Sequence, residues 1–336
     1  MRKLATIQRI NEIKPIEGAD AIELAIVLGW QVVTKKGEYK PGDLCIYCEI
    51  DSFLPVKEEY EFLRKSSYRK MSDGTEGFRL KTIKLRGQIS QGLLLPPGVL
   101  GKDSEKYEVG SDVSDVLGIV KYEPPIPAQL AGEAKGPFPS FVSKTDEERI
   151  QNLVDELPKY RDSLFYITEK MDGTSVTIYL RDGVFGVCSR NLELMENEEN
   201  TYWKIVRQLD LENKLRSYGK NLALQGELIG EGIQKNIYKL RGQAITFFDV
   251  FDIDKFRHYD YNSFVTIIKE FGLSTVPVAQ ESVKIPETVD EILQMANGNS
   301  ALNPNANREG LVFRTVGEKR FSFKAISNAY LLKYEE

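Results

Sequence analysis

Residues 167–180 read ITEKMDGTSVTIYL, and RDGVFGVCSRN follows over 181–191. The β-branched run 174–180 predicts a strand, and Asp182-Gly183 ahead of a second apolar run predicts a two-residue hairpin turn. Such a turn sets Arg181 against Val184 and, counting outward, Arg190 opposite Ser175. A guanidinium thereby returns to the end of the hairpin that holds Lys170 and Asp172. Lys170 itself stands within an apolar run, after Glu169, where burying an unpaired ammonium is costly. It is therefore either at a strand end facing water or used in chemistry. Lysine and arginine side by side suggest a phosphate ligand rather than packed core.

The same counting applies to REGLVFRTVGEKRFSFKAI, residues 308–326. A turn at Gly317-Glu318 pairs Val316 with Lys319 and brings Lys324 opposite Leu311, close to Glu309. Between the two hairpins lie NLALQGELIG, with Glu227 after a short apolar strand, and AITFFDVFDI, an aromatic strand with Phe247, Phe248 and Phe251. Taken singly, the acids read equally as solvated loop charges and the phenylalanines as core.

The whole chain bounds these readings. Its 336 residues, 41% of them hydrophobic, suit two globular domains. No run of about eighteen apolar residues occurs, and MRKLATIQRINEIKP lacks the apolar core of a secretory signal, so no membrane partner and a cytoplasmic location are expected. Cys45 and Cys48 have C-x-x-C spacing but sit in a strand-like run with no second pair to complete a zinc site, and read as reduced core residues. His258 is the only histidine and reads as a surface residue, which leaves lysines and carboxylates for any catalysis. A net charge of −5 disfavours nucleic-acid binding by bulk charge.

Residues 1–118 alternate short β-rich segments with turn signals (GWQVVTKK, GDLCIYCEI, FRLKTIKLRG, QGLLLPPG), which predicts a small barrel. Arg64, Lys65, Arg69, Lys70, Arg79, Lys81, Lys84 and Arg86 cluster there around Tyr68 and Phe78. Such a mixture suits a groove for a phosphate backbone or an ordinary solvated face. The Pro-, Gly- and Ala-rich stretch over 121–144 predicts a linker, and Thr145 with Glu148 in capping-box spacing predicts a helix opening at SKTDEERIQNLVDEL. The expected class is α+β: 1–120, a linker over 121–144, and a second domain over 145–336 built on antiparallel sheets with flanking helices.

Taken in order, EKMDG, SRN, QGELIGEGIQKN, FFDVFDI, EGLVFR and FSFKAIS resemble the six boxes of covalent lysine nucleotidyltransferases, which include ATP-dependent DNA and RNA ligases and capping guanylyltransferases. GELIGEGIQKN with the following Phe-Asp-Ile strand is especially similar to RNA ligases that seal 3′-hydroxyl and 5′-phosphate ends at nicks. EGADAIELAIVLGWQVV and KLRGQISQGLLLP look like an OB barrel. An OB domain ahead of the catalytic domain is the layout of the Deinococcus and Naegleria type of RNA ligase, whereas DNA ligases and capping enzymes carry theirs after it. Little sequence follows Lys324 here.

The resemblance implies an ATP-dependent RNA ligase in which Lys170 attacks the α-phosphate, passing through lysyl-AMP. It places Asp172, Glu227 and Glu309 around a Mg²⁺ or Mn²⁺ ion held through water, Arg190 and Lys324 on phosphates, and Arg149 on the leaving pyrophosphate. Phe251 and Val312 would sandwich the adenine, with Glu169 at the base edge and Glu227 near the ribose. Lys84 and Arg86 would bind RNA, a nicked duplex or broken structured RNA, and a monomer is expected. The last box departs from the family, whose second lysine is missing: Ser322 and Ile326 flank Lys324, leaving Lys319, Arg320 or Lys333 to compensate. Two alternatives stand beside this reading. One is a non-catalytic RNA-binding protein with a degenerate ligase fold, the other a DNA ligase or guanylyltransferase.

Overall fold

The computed structural model describes residues 2–71, 73–123, 134–317 and 319–334, and most of the expected linker, 124–133, lies outside them. The described residues form two compact units. One holds residues 2–123 together with 150–158 and 331–334, the other 134–149 and 159–330. The second unit thus differs from the expected domain 145–336 by three segments: it also takes in 134–144 of the expected linker, and it lacks 150–158 and the residues after 330. Residues 150–158 join the first unit through local chemistry: Trp30 Nε1 donates to Asn152 Oδ1 at 2.6 Å and the Gly29 amide donates to the Gln151 carbonyl at 2.9 Å.

In the first unit, strand Ala5–Arg9 pairs antiparallel with Leu44–Cys48, which also carries Leu93–Leu95 on its other edge. A meander of Glu12–Pro15, Ile22–Val27 and Trp30–Lys35 follows. Cys45 and Cys48 are free thiols in a buried strand, in line with their reading as reduced core residues. The run FRLKTIKLRG divides between strands Glu76–Arg79 and Thr82–Leu85, which belong to different sheets. Thr82–Leu85 pairs with Gln88–Gln91 around Arg86 and Gly87, both at positive φ, so that Lys84 and Arg86 stand exposed near the tip. The core gathers Ile7, Ile46, Leu54, Phe78, Leu95 and Leu117.

The second unit is built on two antiparallel sheets. The larger has seven strands, with Val184–Cys188, Thr174–Arg181, Leu222–Gly230 and Gln243–Asp252 adjacent in that order. The smaller orders Val278–Val283, Phe165–Lys170, Gly310–Thr315 and Ser322–Ile326. Alternation along the strands divides their residues. Val176, Ile178, Leu224, Phe247 and Val250 pack against helices Thr201–Gln208, Leu211–Tyr218 and Tyr261–Glu270. The intervening residues, among them Gln225 and Glu227, occupy the opposite face.

The hairpin at Asp182-Gly183 forms as expected, with φ of 50° and 80° and Arg181 opposite Val184. The second hairpin differs by one residue: Lys324 lies opposite Val312, not Leu311. Its connection is wider than a two-residue turn, since the Thr315 amide donates to the Phe321 carbonyl at 3.0 Å, and Glu318 of the expected turn lies outside the described residues. No α-helix opens at Thr145. Residues 143–148 lie in no helix or strand, Arg149 bridges Lys324 in parallel, and the Lys324 amide donates to the Glu148 carbonyl at 2.8 Å. A sheet edge offering hydrogen bonds outweighs a local capping signal.

Candidate active site

Lys170 ends strand Phe165–Lys170, directly opposite Gly310. Both neighbouring glycines are fixed by close approach, because a Cβ on Gly173 would meet the Leu228 carbonyl oxygen and one on Gly310 the Ala325 carbonyl oxygen. The strand ends at Lys170, whose amine meets the Glu309 carboxylate. Nζ donates to Glu309 Oε1 at 2.7 Å, and Glu227 and Asp172 act on the same charge. Burial alone would favour the neutral amine, but Glu309, Glu227 and Asp172 outweigh it and hold the ammonium above the usual lysine range. The acids respond in kind. Burial lifts the Glu227 carboxyl to about 8 against the pull of Lys170, with Glu309 and Asp172 adding to the rise. Burial and Glu309 lift Asp172 to about 6.

Asp172 is held at both ends by tyrosines that no local pattern announces. Its amide donates to Tyr238 Oη at 2.5 Å, and Tyr330 hydrogen-bonds its carboxylate. Among the described residues no three His, Cys, Asp or Glu groups are close enough together to grip a metal directly. The all-oxygen set of Asp172, Glu227 and Glu309 nonetheless fits a hard divalent cation reached through water. Burial, with Glu309 and Asp172 beside it, lifts the Glu227 carboxyl to about 8, and a cation held there would favour its charged form.

The other expected groups divide. Thr168, Val312 and Lys324 share one row of the smaller sheet on the same face as Lys170. Arg190 lies beyond the paired part of its hairpin and engages Asp146 at 2.5 Å, yet remains close enough to Glu227 to lower its carboxyl. Arg149 is buried beside the Lys324 strand. Glu169 turns to the opposite face of its strand from Lys170, where its Oε2 accepts from the Ala301 amide at 2.8 Å. Its other oxygen, Oε1, is buried with no hydrogen-bond partner. Phe251 is 1% exposed and enclosed by Val142, Tyr179, Cys188 and Ile253, with Phe256 and His258 edge-on, so it presents no open ring to a base. Phe248 is the half-buried aromatic that lines a cavity on this face. A bulge explains the exchange: Gln225 opposes Asp249 while Gly226 opposes Phe247, so Phe248 is an extra residue and strict alternation fails there.

Next to Phe248 lies an ionic network. Asp249 accepts from Arg320 at 2.6 Å and neighbours Arg314 at 3.7 Å and His258 at 3.3 Å. His258, expected at the surface, is half-buried here, and Arg320 is committed to this network. Burial would raise the Asp249 carboxyl, but Arg320, His258 and Arg314 reverse this and hold it well below the usual carboxylate range. A depressed folded pKa contributes stability above the unfolded value, lost as pH falls through the folded one. Asp249→Asn is therefore expected to cost about 3 kcal/mol near neutral pH, the low end for breaking a buried ion pair, because Glu147 remains beside both Arg314 and Arg320. The deficit relative to wild type should shrink below pH about 4. Urea unfolding at both pH values measures it.

Two facing antiparallel sheets that bring a strand-end lysine among three carboxylates, with Arg190 and Lys324 near by, define the covalent lysine nucleotidyltransferase class. The comparisons narrow this. A family profile described as RNA ligase matches residues 163–326, and one described as an OB-fold domain matches 4–97. Naegleria gruberi RNA ligase solved with PPi is 45% identical, covering 100% of this chain and 99% of that one at a TM-score of 0.94. A mutant of that ligase solved with ATP and Mn is also 45% identical, covering 100% of both chains at 0.94, and a mutant in apo form covers 99% and 98% at 45% identity and 0.94. No curated protein matches significantly. The chain belongs to the RNA ligase family, with an N-terminal OB-fold domain ahead of the ligase domain. No helix among the described residues is long and apolar enough to cross a membrane.

Proposed function

We propose that this RNA ligase seals 3′-hydroxyl and 5′-phosphate ends at nicks in duplexes, with ATP as donor. The observation that carries the reading is Lys170 against Glu309 at 2.7 Å, in a chain that aligns end to end with a ligase solved with ATP and Mn. Lys170 Nζ, once deprotonated, forms a bond to the α-phosphorus as the bond to the bridging oxygen breaks and pyrophosphate leaves. An oxygen of the RNA 5′-phosphate then displaces the amine from that phosphorus, and the amine regains a proton. Last, the 3′-hydroxyl attacks the RNA phosphate, loses its proton and expels AMP.

Each of the chain's own groups has a part. Arg190 and Lys324 bind phosphate oxygens, Arg149 reaches the leaving pyrophosphate, and Val312 and Phe248 line the base. Glu227 binds the ribose. Asp172, Glu227 and Glu309 would hold a Mg²⁺ or Mn²⁺ ion through water, and when bound it would supply positive charge beside the amine and the phosphate oxygens. Lys84 and Arg86, exposed on their hairpin, contact the RNA backbone. All these residues come from one chain, so a monomer suffices, and three buried free thiols fit a reducing cytoplasm.

The test is sealing of a nicked duplex in which each strand is RNA or DNA in turn. Efficient joining is expected where the strands joined at the nick are RNA, and equal joining of all-DNA nicks would overturn the assignment.

A further inference from the structure

The cavity beside Phe248 encloses about 280 Å³ and is lined among others by Gln225, Asp249, Arg314 and Ser322. Three of these follow the site by strand alternation. Gln225 is two residues from Glu227, Arg314 two from Val312 and Ser322 two from Lys324, each on the same face of its strand. Two residues advance a strand by about 6.6 Å, so these wall residues stand one step along the same strand faces as Glu227, Val312 and Lys324. Phe248 forms one wall, with the Arg314 guanidinium 5.6 Å from its ring centre.

Gln225 is the unusual member of this wall. It is 0% exposed, and its Nε2 donates to the Ser143 carbonyl at 2.7 Å. A carbonyl only accepts, which fixes the amide orientation and makes the other end an acceptor. That acceptor, Oε1, is buried with no hydrogen-bond partner. A buried amide oxygen left unpaired is costly, and a ligand amine would complete it.

We propose that Gln225 sets the donor-nucleotide specificity of the ligase by accepting a hydrogen bond from the 6-amino group of a purine seated against Phe248. The assignment rests on the nucleotide reading given above. A 6-oxo purine would set oxygen against oxygen. Flipping the amide to serve it would break the bond to Ser143, so guanine is rejected by the same anchor that favours adenine.

Covalent labelling of Lys170 tests the proposal with ATP, with GTP, and with purine riboside triphosphate, which lacks the 6-amino group. Wild type is expected to prefer ATP over the deamino analogue by at least ~10-fold in kcat/KM, and to use GTP less well than either. In Gln225→Leu the lost Ser143 bond affects all three nucleotides, but the ATP preference over the deamino analogue should fall to within ~3-fold. Gln225→Met serves the same purpose if the leucine variant does not fold. A wild type that labels equally with ATP and the deamino analogue, or better with GTP than with that analogue, overturns the assignment without any variant. So does a Gln225→Leu that keeps the full preference. A wild type that labels with none of the three overturns the ligase reading itself.

Discussion

Lys170→Ala is expected to leave no covalent label when the protein is incubated with α-labelled ATP and a divalent cation and then denatured. The rate of sealing should fall by at least ~10⁴-fold, the scale of losing a covalent nucleophile. The reason is positional. Lys170 is the amine that the strand end delivers into contact with Glu309 at 2.7 Å, while Lys324 lies a row away opposite Val312. Lys170→Arg should fail equally, because a guanidinium keeps its proton. Glu309 would still find a cation in that variant, so a folded but unlabelled arginine protein separates loss of the nucleophile from loss of the ion pair. A label of wild-type intensity in either variant would place the nucleophile elsewhere.

The sequence carried this far because the decisive features are local. Asp182-Gly183 can only be a tight turn between apolar runs, and its register held. The lysine and its acids follow from the same strand logic. What failed depended on partners distant in sequence. The second hairpin was counted from a two-residue turn, whereas the Thr315–Phe321 bond closes a wider loop and moves Lys324 to Val312. Choosing among the phenylalanines required knowing that Gly226 and Gln225 oppose Phe247 and Asp249, a bulge visible only across two strands. Thr145 and Glu148 carried a helix signal that lost to pairing with the Lys324 strand. Tyr238 and Tyr330 are brought to Asp172 by the fold, and Gln225 acquires its meaning only once Ser143 fixes its amide.

Excess chelator is expected to suppress self-labelling by ~10³-fold or more at pH 7. An amine whose pKa is at or above about 10.4 is neutral in only about one molecule in 2,500 or fewer at that pH. Here Glu309, Glu227 and Asp172 hold it above the usual value, so the deficit is at least that large. A unit charge about 4 Å away at an effective dielectric near 20 is worth about 4 kcal/mol. Since each pKa unit corresponds to about 1.36 kcal/mol, a cation offsetting the acids moves the amine by about three units and so raises its neutral fraction about a thousandfold. The sign of the pH dependence follows. In chelator the residual labelling should climb about tenfold per pH unit, since the amine remains far below its pKa across the accessible range. With the cation present, the same rise should level off at a lower pH. Labelling undiminished in chelator, or residual labelling flat with pH, would show that protonation of Lys170 is not what limits attack, and the carboxylates around it would need another purpose.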